Sequence, residues 1–395
     1  MAGLSLALVV GVLVFWLRQD DDAETPRVLD SPSARQDLAA AALADLQTAV
    51  GARDRARLHP DAGELAETAV DNAEELRVAG FTARYVDEDA ALTATLPDGQ
   101  WAAAVDTTWR FAGYDPREAH AEVTFVFARE GDHAVLVDVG GGGRRTPLWL
   151  ATALNVSRTP QALVMAAGDQ PVNRFARQAR VAVRAVGKVL PPWRQKLVMV
   201  VPESDEQLDE VLAADPGEYA EIAAVTTTVD GSLSPSAPVH VFVNPEVFSG
   251  LRRNGAQVVT THELVHVATG AATASNTPLW LLEGFADYVA LRDVTLPLSV
   301  TAGQVLAQVR RDGAPRHLPA GNEFDTHTTH LGASYEAAWL ACRLLAQTGS
   351  EQDLLRLYDE VSDGAPVGAA LQQVYGFGEK ELVQRWRREL ERLAR

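Results

Sequence analysis

The sequence predicts an α+β protein in three parts: an N-terminal membrane anchor, a cone-like α+β front domain, and a rear domain whose mixed-sheet lobe leads into a mostly helical lobe. Three observations carry this reading. Gly3 to Leu17 is apolar and uncharged. From Ala34 to Ala167 helical spacing of apolar residues gives way to alternating, strand-like runs. Beyond Gly168 short strands come first and long helical stretches come after them. A chain of 395 residues is too long for one ordinary core, so several parts are expected.

Taken in order, residues 1–18 form the anchor. Trp16 lies where an interfacial aromatic belongs, and Leu17-Arg-Gln-Asp-Asp-Asp22 offers no small-residue cleavage site, which favours an uncleaved segment over a signal peptide. The apolar stretch is shorter than the ~20 residues that span a bilayer comfortably. Arg18 lies directly after it, and very little precedes it. That short flank is the layout of a signal anchor that exports the C-terminal bulk of the chain, so a single-pass cell-membrane protein with an extracytoplasmic catalytic part is expected. Residues 19–33 are acidic, carry Pro26 and Pro32, and read as a solvated linker.

The front domain spans 34–167. Leu38, Ala42, Leu46 and Val50 recur at helical spacing and a second helix begins near Glu64. Strands are expected over 81–86, 100–111, 119–129, 133–139 and 161–167. This order of elements resembles the nuclear-transport-factor-two-like fold, which implies either a ligand pocket or a spacer. Gly140 to Gly143 has neither the Lys-Ser/Thr of a phosphate loop nor spaced glycines and reads as a turn. The formal charge of -18 opposes binding to nucleic acid, and no block of Lys and Arg compensates. Cys342 is the only cysteine, so neither an internal disulfide nor a multi-thiolate metal site is available, and its apolar surroundings mark it as a buried thiol.

In the rear domain, 168–395, helices are expected over 172–190 and 205–213 and strands over 196–201, 222–228 and 239–243. The last of these, in Pro238-Val-His-Val-Phe-Val-Asn244, is the expected sheet edge for an extended peptide. Then comes Thr261-His-Glu-Leu-Val-His-Val-Ala268, an HExxH pattern within an apolar stretch of helical length. On a helix His262 and His266 share one face, one turn apart, and both imidazoles reach a single metal. Glu263 is rotated by roughly 100° and is left beside the open position, where a carboxylate takes the proton of the attacking water and passes it to the leaving amine. Seventeen positions after His266, Glu283 in Pro278-Leu-Trp-Leu-Leu-Glu-Gly-Phe-Ala-Asp-Tyr288 sits on a second helix as the third ligand. Asp287 stands at i+4 from it and accepts the free ring N–H of a ligating histidine.

These residues carry a resemblance. HELVH followed by WLLEGFADY resembles the gluzincin group of zinc metallopeptidases, in particular its peptidase MA-like members, over residues 168–395. Glu283-Gly-Phe-Ala286 is similar to the aminopeptidase N family, and Glu283 with Asp287 to the thermolysin arrangement. The resemblance implies a zincin catalytic domain, Zn²⁺ as cofactor, and a peptide or protein substrate. Ser334-Tyr335-Glu336-Ala337-Ala338-Trp339 resembles the Tyr-Glu-x-Gly element of the aminopeptidase family, which makes Tyr335 an oxyanion donor; the glycine is missing, and packing is the rival reading. No GxMEN-type motif precedes the helix and Leu282 replaces a polar residue, so a reader of free N-termini is not supported. His327 and His330 are read as loop histidines ahead of a second metal site or an oxyanion donor. The competing function is a membrane-tethered ligand-binding protein with a silent or structural zinc site, and hydrolysis of a non-peptide amide is a third reading.

Overall fold

The computed structural model describes residues 31–274, 276–325 and 330–395. The expected anchor, nearly all of the linker, and His327 lie outside the described residues. Among the described residues no helix is long and apolar enough to cross a membrane.

The chain is a mixed α+β structure with two sheets. Helix α1 (Pro32–Ala52) starts where Ser31 Oγ accepts from Ala34 N–H at 3.2 Å with Pro32 in the first turn, a sequence-local start signal. After α2 (Glu64–Leu76), strands β1 (Val78–Glu88), β2 (Gln100–Phe111), β3 (Ala119–Glu130) and β4 (His133–Val139) form an antiparallel meander in chain order. The apolar face of α1, with Leu43, Leu46 and Val50, buries itself with Trp101, Phe125 and Phe127 of the sheet.

The second sheet contains β5 (Leu154–Arg158), β6 (Ala162–Ala167), β7 (Leu197–Val201), β8 (Ala224–Thr228) and β9 (Val239–Val243), in spatial order β5-β6-β7-β9-β8. The β6-β7-β9 pairings are parallel and the outer pairings antiparallel. Helices α3 (Val172–Val186) and α4 (Asp205–Leu212) supply crossovers. Two expectations change here. The run 161–167 belongs to this sheet and not to the front meander, because β5 and β6 form a hairpin whose second strand pairs with β7. Strand β9 is not the edge: it lies between β7 and β8 with all five residues buried, as suits an apolar run covered on both faces. The edge is β8.

Both faces of this sheet are covered. Ala162, Val164, Met199, Val201 and Val241 pack on the helical lobe, while Leu163, Met165, Val198, Val200 and Phe242 join the core of the front meander. The front part is therefore fused to the sheet through shared core. Polar ties reinforce the seam. Asn72 on α2 donates through Nδ2 to Trp149 O (2.9 Å) and Thr152 O (2.7 Å) and accepts from Leu154 N–H at 3.1 Å. His240 on β9 and Asp115 after β2 meet at 2.9 Å with both side chains buried.

The helical lobe contains α5 (Arg253–Thr269), α6 (Leu279–Leu291), α7 (Gly303–Asp312), α8 (Leu331–Thr348), α9 (Glu351–Ser362), α10 (Val367–Tyr375) and α11 (Glu379–Leu393). Helix α8 is its axis: α6, α7, α9 and α11 pack around it, and Trp386 of α11 is fully buried with Nε1 donating to Ala337 O at 3.1 Å.

Replacing Asn72 by Ala strands two buried carbonyls and one amide at the seam, and is expected to cost about 2–3 kcal/mol in urea unfolding. The loss should appear in one transition, with tryptophan fluorescence and far-ultraviolet dichroism moving together, because the two sheets share a core.

Candidate metal centre and active site

Helix α5 starts with Arg253 and ends at Gly270, whose φ of 72° makes it the left-handed cap. It presents His262 and His266 to α6, and the crossing brings Glu283 between them. His266 Nε2 lies 3.0 Å from His262 Nε2, His262 Nε2 lies 3.1 Å from Glu283 Oε2, and His266 Nε2 lies 3.3 Å from the same oxygen. Four bonds of 2.0–2.1 Å in a tetrahedron set ligand atoms ~3.3 Å apart. The three observed edges fit zinc, with the imidazole planes at 86° to each other. Two imidazole nitrogens and a carboxylate oxygen at such separations share no good proton arrangement among themselves, whereas a cation satisfies all three lone pairs.

Asp287, one turn beyond Glu283, stands 2.8 Å from His262 Nδ1 through Oδ1. A proton on Nδ1 leaves the Nε2 lone pair for the metal, the role expected of this carboxylate. Burial works against the His262 imidazolium, yet the carboxylates of Asp287 and Glu283 outweigh it and hold the pKa well above the usual histidine range. Burial likewise opposes the Glu283 carboxylate, but His266 and His262 hold its carboxyl far below its ordinary value. The cluster thus favours positive charge at the point where the ligand atoms converge.

Glu263 leaves the ligand set, as its offset on the helix requires. It is buried, and its Oε2 accepts from Thr226 Oγ1 at 2.6 Å. Burial raises its carboxyl above the usual range, and the two histidines and the Thr226 hydroxyl moderate the rise. A carboxylate made more basic by burial and oriented by one hydroxyl has the character of a general base. Thr226, on edge strand β8, is the site residue that sequence reasoning missed.

Tyr335 stands in the first turn of α8 with its ring 6.1 Å from that of His262 and edge-on to Phe324 at 5.2 Å. Burial first, then the carboxylates of Glu283, Asp287 and Glu263, push its pKa up, so the phenol stays protonated and able to donate. Its neighbour Glu336 does something else: Oε2 accepts Val305 N–H at 2.8 Å and stands in for the cap that α7 lacks. Gly284 sets the approach of α6 to α8, because a Cβ there would meet Ala338 O at 2.4 Å and Cys342 Sγ at 3.0 Å. Cys342 is fully buried and burial pushes its thiol up, in keeping with a packing role. His330 lies at the start of α8, exposed and away from the converging ligands.

No family model matches the chain, and no curated protein matches it. Among solved structures it is similar to an M1 zinc metallopeptidase from Deinococcus radiodurans, solved as a point mutant bound to a Tyr-Ser-Ala substrate, at 13% identity over 74% of this chain and 61% of that one, with a TM-score of 0.37. The chain spans about three fifths of that protein's length. Similarity at this level adds nothing to the geometry above.

Elemental analysis of the purified chain is expected to find zinc at about one per chain. His266→Ala should abolish it, and Asp287→Asn should weaken zinc affinity about 10–100-fold in chelator competition. Gly284→Ala is expected to cost about 1–3 kcal/mol in urea unfolding through overpacking of α6 on α8.

Proposed function

We propose that the chain is a zinc-dependent peptidase, held at the cell membrane by residues 1–18 with its catalytic part outside the cytoplasm, and acting on peptide or protein substrates. The observation that carries the proposal is the pairing of a three-ligand convergence at His262, His266 and Glu283 with a buried, unligated Glu263 beside it. A structural site closes its fourth position and has no use for a buried base. This favours the enzyme over the tethered binding protein.

Zinc, when bound, supplies Lewis acidity and lowers the pKa of a coordinated water towards ~7. The chain's own residues do the rest. Asp287 fixes the His262 ring, and Glu263, oriented by Thr226, takes the proton of the attacking water through its carboxylate and delivers it to the leaving nitrogen. The Tyr335 O–H, kept protonated by the carboxylates around it, donates to the oxyanion of the tetrahedral species. An extended substrate pairs with β8, the strand that already touches Glu263. Chemistry at a carbonyl does not by itself select peptides over other amides; the free sheet edge is what favours a peptide.

Glu263→Gln is expected to retain zinc and lose hydrolysis of a mixed peptide library by about 10²–10⁴-fold. Tyr335→Phe should lower kcat by about 10–10³-fold with little change in KM, since the lost donor acts on the transition state. Hydrolysis that persists in Glu263→Gln would sink the proposal.

A further inference from the structure

Strand β8 pairs with β9 alone, and the parity of that pairing fixes which of its peptide groups face the groove. Val229 N–H donates to Pro238 O and Asn244 N–H to Ala223 O, each at 3.0 Å. Hydrogen-bonded positions alternate in an antiparallel pair, so residues 223, 225, 227 and 229 turn their backbone towards β9. Ala224, Thr226 and Thr228 turn theirs outward. That outward row is not uniform. Thr226 and its two neighbours are partly exposed, whereas Thr228 is only 1% exposed. Thr228 C=O already accepts from Arg145 Nη1 at 2.7 Å and from Gly231 N–H at 3.2 Å. A carbonyl oxygen has two lone pairs, and both are in use.

Arg145 comes from the front part of the molecule. Gly140 to Gly143 all have positive φ, from 65° to 139°, a turn that only consecutive glycines adopt without strain. The two arginines next in the chain serve different sheets. Arg144 donates to Asp89 Oδ2 at 2.8 Å and Glu122 Oε1 at 2.7 Å on the front side. Arg145 goes to β8, where it lies against the turn at Gly231; a Cβ there would stand 2.8 Å from its Nε.

The geometry points to Arg145 as the residue that ends the substrate groove, so that the chain takes peptides with few residues, about two by the strand repeat, on the N-terminal side of the scissile bond. This rests on the reading of the site as a metal-dependent peptidase. Antiparallel ladders are the more stable per residue, and a peptide antiparallel to β8 runs its N-terminal end towards Thr228. Thr226 holds Glu263 and thereby marks the position of the reacting carbonyl. Thr228 is two residues further along, ~6.8 Å, and there the row of free acceptors stops. Arg145 is a specificity-determining residue that touches the groove end and not the reacting atoms.

The test uses the zinc-loaded full chain and peptides of one to four residues ending in a C-terminal hydroxamate, which ligates the metal and lays every residue on the N-terminal side. Titration calorimetry should show affinity rising from one residue to two and falling about tenfold when a third and fourth are added, the scale of a lost hydrogen bond with desolvation of its donor. In Arg145→Ala the ratio of four-residue to two-residue affinity should rise about fivefold, with Arg145→Lys between it and wild type. Should the variants fail to fold, the wild-type length profile decides alone: continued tightening, or no change, through four residues overturns the inference. Mass mapping of library cleavage separates the two readings. A length limit without any hydrolysis supports the groove end and overturns the peptidase. Cuts at every distance from the N-terminus overturn the groove end and leave the peptidase, as do cuts confined to the C-terminal end, which would mean parallel pairing. A chain that binds no hydroxamate overturns both.

Discussion

The five-stranded sheet buried on both faces is the constraint on which the rest of the structure depends. One face carries the front meander and the other the helical lobe, and the apolar residues of β6, β7 and β9 alternate between the two cores. A sheet so covered leaves little of its backbone free, and the exposed edge it retains is β8. Helix α5 packs beside that edge. The base at Glu263 and the strand that holds it are therefore neighbours as a result of sheet packing.

The metal centre depends on two helix contacts of different kinds. Where α5 meets α6, contact is polar and converges on a point; where α6 meets α8, it is a close backbone approach that a side chain at position 284 would prevent. The first sets which atoms meet, and the second sets where Tyr335 stands relative to them. Electrostatics agrees with both: carboxylates surround the ligands, raise the affinity of His262 for positive charge and keep the Tyr335 phenol neutral.

Much of the site was legible in the sequence because it is periodic. His262 with His266, and Glu283 with Asp287, are each one helical turn apart, and a turn is a local fact. The helices and most strands were legible for the same reason. What the sequence hid is long-range. Thr226 reaches Glu263 across 37 positions, Arg145 reaches Thr228 across 83, and Gly284 meets Ala338 across a helix pair. The order of strands within a sheet is equally non-local, which is why β9 read as an edge and the run 161–167 as part of the front meander. A signal did exist in the former case: Val-His-Val-Phe-Val is the pattern of a strand buried on both faces, and Ala-Val-Thr-Thr-Thr that of an edge. Strand β5, short and carrying Asn155 and Ser157, gave no such pattern.

Position 226 answers to two masters at once. Its backbone forms part of the open edge and its hydroxyl orients Glu263. Valine in its place would keep the branched shape suited to a strand and lose the hydroxyl, while serine would keep the hydroxyl and lose the branch. Among the natural residues threonine alone supplies both, so drift at this site is confined to one amino acid even though the residue neither binds metal nor moves a proton. Sequence change that alters how this chain grips a peptide therefore has to enter elsewhere along the edge.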